Sequence, residues 1–193
     1  MKRRRDDRVI DLVFEIIEGP RVHVDRINIT GNVRTLDEVI RREIKLVEGD
    51  AFNTARLRRS RRQIQRLGFF DKVDITQKKG GAPDKAIIDV NVQERSTGEL
   101  SFGVGLSTTE NVVGDISIRE RNLLGKAQDL RLTLGLSTNR QQLDLSFTEP
   151  YFLDRNLAVG FDVFNFKQDQ QDRSSFDEQA QGLKLRTRFP ITE

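Results

Sequence analysis

The sequence predicts two fold classes in series: an α+β module of order β-α-α-β-β, then the antiparallel strands of an incomplete transmembrane β-barrel. Strand and helix patterns are combined within residues 22–94, whereas only alternating strand patterns follow Gly98. The sign of the net charge changes at the same position in the chain. Residues 1–97 carry 22 Lys and Arg against 16 Asp and Glu, a net of +6, and residues 98–193 carry 11 against 14, a net of −3.

Composition narrows the function classes. The 193 residues include no Cys, which excludes a disulfide scaffold, a thiol nucleophile and Cys-ligated zinc. No stretch approaches the roughly 20 apolar residues of a membrane-spanning helix. The basic residues after Met1 lack the apolar run of a secretory signal, so either the protein is cytoplasmic or its natural N-terminus lies upstream, and we expect the second.

The module opens with two strand patterns. A β-branched and aromatic run covers residues 9–18 and is stopped by Gly19 and Pro20. A second strand is predicted over residues 22–30, and its alternation slips near Asp25, which predicts a bulge.

Two helices are predicted next. Thr35 and Glu38 match a capping box, and apolar spacing predicts a helix from about 35 to 46. A second helix begins near Asn53 and ends at Gly68. One face of it carries Leu57, Ser60, Ile64 and Leu67.

Two further strands, around residues 73–76 and 87–92, complete the module. A two-helix connection reverses the chain twice, so the last strand should run parallel to the first. The result is a three-stranded mixed sheet with both helices on one face.

The second half contains six alternating strand patterns with an apolar and a polar or glycine-rich side. A soluble sandwich also alternates, so that alternative stays open on pattern alone. One side carries almost purely Leu, Ile, Val and Phe, and short and long connections alternate, and both features favour the membrane barrel. The predicted interfacial aromatics are Tyr151, Phe152, Phe164 and Phe166.

Four segments resemble a known family. Arg26–Asn32 and Leu67–Val73 resemble the signature of a POTRA module. Glu120–Lys126 and Phe147–Asp154 resemble the first barrel hairpins of the outer-membrane assembly factors that join POTRA modules to a barrel. The resemblance implies three parts: the end of a preceding POTRA module (1–20), a POTRA module (21–96) and the first strands of a barrel (97–193).

Membership of this family implies a function in folding β-barrel proteins and inserting them into the bacterial outer membrane. This process does not use ATP, and the POTRA part lies in the periplasm. Implied partners are unfolded barrel clients, periplasmic assembly lipoproteins and outer-membrane lipid. Six strands fall short of the roughly eight of the smallest membrane barrels, so the six alone should not insert. The alternative is a POTRA-barrel transporter that secretes proteins across the outer membrane.

Two strand edges are the predicted partner sites. The module edge comprises Val73, Asp74, Ile75 and Thr76, and POTRA modules add partner strands at such an edge. The barrel seam comprises Leu100, Phe102, Val104 and Leu106, which a client strand would pair with. Gly103 and Gly105 either relieve crowding inside the barrel or keep this strand loosely held.

The remaining signals favour no enzyme and no nucleic-acid partner. Arginines between Arg56 and Arg66 could track phosphates, but no nucleic-acid motif accompanies them, and a solvated helix face is the plainer interpretation. An acidic partner or lipid headgroups are the other interpretations that stay open for this helix. The sequence contains no motif for a nucleophile elbow, a phosphate-binding loop or a metal-ligand cluster. We therefore expect no catalytic residue, cofactor or metal.

Overall fold

The computed structural model describes residues 2–4, 9–11, 21–108, 110–169 and 177–191. Strands and helices alternate in its first half and only strands follow. The elements are β1 Lys2–Arg4, β2 Val9–Asp11, β3 His23–Thr30, α1 Asp37–Arg41, α2 Thr54–Arg66, β4 Phe70–Lys79, β5 Lys85–Glu94, β6 Gly98–Ser107, β7 Asn111–Leu123, β8 Gln128–Ser137, β9 Arg140–Glu149, a 3-10 turn Phe152–Asp154, β10 Ala158–Asp169 and β11 Asp177–Arg188.

The first two strands pair with each other. β1 runs antiparallel to β2, with Arg3 opposite Ile10. The strand predicted over residues 9–18 is present at Val9–Asp11, and its remainder lies outside the described residues.

The predicted mixed sheet is confirmed. Its strand order is β3-β5-β4, with β5 parallel to β3 and antiparallel to β4. The predicted bulge is also present, because the β3–β5 register shifts between Val24 and Arg26. β3 and β4 are therefore the two edges of this sheet among the described strands.

Both helices cover one face of the sheet. Alternate residues of β5 point toward them, from Ala86 to Val92, and pack against Val39, Ile40 and the fully buried Ile64. The opposite face is polar, where Asn28 donates to Asp89 at 2.8 Å and Lys78 pairs with Asp89 at 2.6 Å. Among the described residues, the helices are too short and too polar to cross a membrane.

The predicted first helix and its cap are wrong in detail. α1 covers only Asp37–Arg41, and its N-cap is Leu36, which makes no side-chain cap hydrogen bond. Thr35 is buried, and its hydroxyl accepts instead from Asn122, 87 positions later. Ile44 and Leu46 still reach the core, but from the irregular chain after α1 rather than from a helix.

The second helix is confirmed. The Asn53 side chain accepts from the amides of Ala55 and Arg56, which satisfies two of the free N–H groups at the start of α2. Gly68 follows the helix in the left-handed region, at φ +73°, as a C-terminal glycine does.

The six predicted strands form one antiparallel sheet, in which each strand pairs with the next along the chain from β6 to β11. Apolar residues stay in register across it. One row runs through Leu100, Ile118, Leu132, Leu145, Val163 and Leu183. Together with the neighbouring rows it forms what we call the apolar face.

The opposite face is polar. Arg119 pairs with Asp129 at 2.6 Å, and Arg186 pairs with Asp162 at 2.7 Å. Phe164 and Phe166 also lie on this face, because they alternate with Val163, so their predicted place among lipid-facing aromatics is wrong. The Phe164 ring covers Gly182, where an added Cβ would lie 2.7 Å from a ring carbon.

Candidate functional site

The first strand of the six-stranded sheet has one partner only among the described strands. β6 pairs with β7, and the strand order places it at the end of the sheet. Leu100, Phe102, Val104 and Leu106 share the apolar face and are 68% to 89% exposed. An added Cβ at Gly103 or Gly105 would meet nothing within 4 Å, so crowding by the described residues does not require these glycines. The strand offers unpaired backbone groups along its free edge.

The module has a comparable free edge. β4 pairs only with β5 among the described strands, so Val73–Thr76 lie on an edge. Val73 is buried, Asp74 and Ile75 are half-buried, and Thr76 is exposed. The structure thus brings the predicted residues of each edge together, but on separate sheets.

Only residues 95–97 connect the module to the barrel strands. Contacts reinforce this short connection where the turn after β7 meets the loop before α1. Leu36 N–H donates to the carbonyl of Gly125 at 2.9 Å, and the Asn122 amide donates to the Thr35 hydroxyl at 2.9 Å. Asn122 also accepts from Ala127, which belongs to the module's core cluster. We call these contacts, with those of Tyr151 below, the joint.

Gly125 makes this close approach possible. Its φ is +73°, which side chains other than Gly rarely adopt, and an added Cβ would lie 2.1 Å from the Arg34 carbonyl oxygen. Any other residue would push the β7–β8 turn away from the module.

Tyr151 forms the second contact of the joint. The Arg42 guanidinium lies 3.9 Å from the centroid of its ring, and its hydroxyl donates to Glu43 at 3.4 Å. Burial raises the pKa of Tyr151, and the nearby Glu43 carboxylate raises it further. The phenol is therefore neutral at ordinary pH and remains a donor. Tyr151, which the sequence predicts as an interfacial aromatic, thus also contacts the module.

Glu94, the last residue of β5, fixes the loop on which the joint rests. Its carboxylate accepts from Thr35 N–H at 2.7 Å and from Arg34 N–H at 2.9 Å. Burial alone would raise the pKa of Glu94, but these amide bonds outweigh it and hold the pKa below its usual value.

Sequence reasoning missed the joint. The segments 120–126 and 147–154 stood out by resemblance, but nothing in them indicated contact with residues 35–43. A short polar turn with Asn122 and Gly125 was the available signal, and it was compatible with any tight hairpin. In the described part of the chain no group of His, Asp and Glu is arranged to hold a metal ion.

Comparison with known proteins agrees with this architecture. Residues 22–95 match the POTRA domain model (surface antigen variable number repeat), and residues 122–193 match the Omp85 superfamily domain. These matches and the fold define a protein that joins a POTRA module to an outer-membrane barrel, and the chain belongs to that family. Such proteins lie in the outer membrane, with the POTRA part in the periplasm.

Within the family, the chain is similar to the outer membrane protein assembly factor BamA. It is 32% identical over 193 residues to the BamA of Neisseria meningitidis, covering 97% of this chain and 24% of that protein. The crystal structure of Haemophilus ducreyi BamA lacking POTRA domains 1–3 superposes with a TM-score of 0.77 at 27% identity, over 90% of this chain and 34% of that one. CdiB from Acinetobacter baumannii, at 16% identity, shares the fold, with a TM-score of 0.60 over 90% of this chain and 35% of that one. The chain spans about a quarter of the length of the curated relatives it matches.

Proposed function

We propose that this chain is the part of an outer-membrane assembly factor in which a periplasmic POTRA module presents the first barrel strand to an unfolded β-barrel client. The observation that carries the proposal is the free edge of β6. The strand begins directly after residues 95–97, which connect it to β5, and bears an unbroken alternation of apolar residues. Relatives named as assembly factors support the same activity.

The proposed division of the chain into three parts matches its division into three sheets. Residues 1–20 would end a preceding module, residues 21–96 form the POTRA module, and residues 97–193 begin the barrel. The process needs no enzymatic step: backbone hydrogen bonds along a strand edge supply the attraction, and burial of apolar side chains in lipid supplies the driving force.

Pairing on β6 requires a defined register. A one-residue slip would turn Leu100, Phe102, Val104 and Leu106 from the apolar to the polar face. The edge of β4 is a second strand-pairing site, open to a client segment or to a periplasmic assembly lipoprotein. Outer-membrane lipid contacts the apolar face, and nucleic acid has no place in the proposal.

Crosslinking tests the seam. Because this chain has no Cys, single Cys residues at positions 100–107 can be introduced in a cysteine-free version of the full-length protein that carries it. A client with a Cys in its terminal strand should crosslink to a subset of these positions with a two-residue period.

The matched control places Cys at positions 130–137, in β8, which already has a partner on each side. Crosslinks at that strand equal to those at β6, or none at β6 in an assembly-competent protein, would contradict the proposal. A secretion transporter would pass cargo through its pore without register-dependent crosslinks to β6.

A further inference from the structure

The structure has a strongly basic groove that strand pairing does not use. It lies between α2 and the module-side end of the barrel strands. Five cations line it: Lys45, Arg56, Arg59, Arg62 and Arg66. Asn156 and Pro190, from the chain just before β10 and just after β11, form its other wall.

The spacing of these arginines follows the helix. Positions 59, 62 and 66 fall on one side of α2 at 3.6 residues per turn, away from the buried Ser60 and Ile64, and Arg56 lies at the margin of that side. Arg58 and Arg61 lie on the same helix but do not line the groove. One helix therefore carries two sets of arginines, of which one faces the barrel end.

Four of the five groove cations lack a carboxylate partner among the described residues. Arg56 pairs with Asp50 at 3.6 Å, but no carboxylate among the described residues lies within 4.0 Å of Lys45, Arg59, Arg62 or Arg66. Arg61, outside the groove, has Asp74 at 3.7 Å. Clustered unpaired cations repel each other, and an anion between them relieves that repulsion.

The position relative to the apolar face identifies the kind of anion. Val159 is the first apolar-face residue of β10, and Asn156 precedes it by three residues. At about 3.3 Å per residue, the groove wall lies within roughly 10 Å of the apolar face. The headgroup layer of a bilayer occupies roughly 5–8 Å beyond each side of its hydrocarbon core. With the apolar face in the hydrocarbon core, the groove wall falls within reach of the phospholipid headgroup layer.

We propose that this groove binds the phosphate of anionic phospholipids in the periplasmic leaflet of the outer membrane. This site rests on the membrane placement of the barrel but not on client pairing at β6. Its volume of about 750 Å³ has room for a hydrated phosphodiester, at roughly 30 Å³ per water molecule. Arginines suit the ligand because each guanidinium donates two parallel hydrogen bonds to phosphate oxygens.

A fluorescent reporter in the groove tests the proposal. The full-length protein, cysteine-free except for Asn156→Cys carrying an environment-sensitive dye, is purified in detergent and titrated with phosphatidylglycerol. Phosphatidylcholine with the same acyl chains and inorganic phosphate are the comparison probes. We expect a saturable response to phosphatidylglycerol at concentrations at least roughly tenfold below those for the other two, weakened by salt.

Two double variants of equal charge locate the binding. R59Q/R62Q should weaken the phosphatidylglycerol response roughly tenfold or more. R58Q/R61Q removes the same charge from the same helix and should leave it unchanged.

Three outcomes overturn the proposal. Equal losses in the two variants would show only an effect of net charge. An equal response to inorganic phosphate would mean a free-phosphate site. No response to phosphatidylglycerol, with R59Q/R62Q instead weakening copurification of an acidic periplasmic protein, would make the groove a protein interface. Client crosslinking at β6, measured in parallel, separates failure of this site from failure of the assembly function.

Discussion

At the residue scale, a few polar side chains replace what would ordinarily be local bonds with long-range ones. Thr35 could cap its own helix, yet its hydroxyl accepts from Asn122 instead. The amides of Arg34 and Thr35 are satisfied by Glu94, and that of Leu36 by Gly125. Of these residues Thr35 is buried, and a buried amide without a partner is costly, so its bond to Glu94 holds the loop before α1 most strongly.

The Glu94 carboxylate should make module stability depend on pH. Its pKa is lowered in the folded state from an ordinary value of 4.5. Its contribution is therefore complete above that value and is lost as the pH falls through the lower, folded-state pKa. We predict that Glu94→Gln lowers the free energy of unfolding by on the order of 1 kcal/mol at pH 7 and by much less at pH 3.

Urea unfolding of the excised residues 21–96, followed by circular dichroism, measures this. The wild-type segment should show mixed α and β content and a cooperative transition. Asp71→Asn is the matched control, since Asp71 is exposed and makes no described side-chain hydrogen bond or ion pair. Equal losses for Glu94→Gln at pH 7 and pH 3 would show that the carboxylate charge is not responsible.

At the element scale, periodic sequence patterns predicted the features that depend on interactions between residues close together in the chain. The order β-α-α-β-β, the bulge at Asp25, the start of α2 near Asn53 and all six barrel strands follow from alternation, turn residues and helix-end residues within a few positions. The predictions were wrong where a contact or pairing with a distant part of the chain determines the structure. Local sequence predicted Thr35 as a helix cap, because its actual partner, Asn122, lies 87 residues away and is not part of the local pattern. Phe164 and Phe166 looked lipid-facing because Phe is apolar, but strand register assigns them to the polar face.

The candidate site was partly predictable for the same reason. The free edges of β4 and β6 follow from chain order, since a strand next to a connection can lack a second neighbour. The joint and the basic groove could not be predicted, because they require the relative placement of the module and the barrel strands.

Proline substitution should identify the free edge of β4. Neighbouring residues of an edge strand donate their amides in opposite directions, so only one of Asp74→Pro and Ile75→Pro removes a bond to β5. The other removes a free-edge donor, and we predict that it keeps the module's melting temperature while weakening the binding of an extended client peptide about tenfold. Isothermal titration of the two variants, with thermal melts beside them, distinguishes the cases. Unchanged peptide affinity in the variant that keeps its melting temperature would exclude this edge as the site.

At the scale of the whole molecule, the module and the barrel strands are held by three links rather than by one flexible linker. Residues 95–97 are the covalent link, the β7–β8 turn docks on the loop before α1, and Tyr151 docks on Arg42 and Glu43. Because β6 begins at the covalent link, the orientation of the module sets the surroundings of the free edge. Rigid placement of the module would give an arriving client strand one approach to β6.

Gly125 is the residue on which this placement depends most directly. We predict that Gly125→Ala displaces the β7–β8 turn, because the added methyl would lie 2.1 Å from the Arg34 carbonyl oxygen and the backbone would stay at φ +73°. Left-handed backbone costs roughly 1–2 kcal/mol for a residue with a Cβ, and the lost bond to Leu36 adds roughly 1 kcal/mol.

Spin labels at Gln77→Cys in the module and Thr138→Cys at the far end of the barrel strands, in the full-length protein, report the change. Double electron–electron resonance should give a narrow distance distribution in the parent and a broader one in Gly125→Ala. Gly81→Ala is the control, since an added Cβ there meets nothing within 4 Å. An unchanged distribution in Gly125→Ala would mean that residues 95–97 and Tyr151 suffice to orient the module.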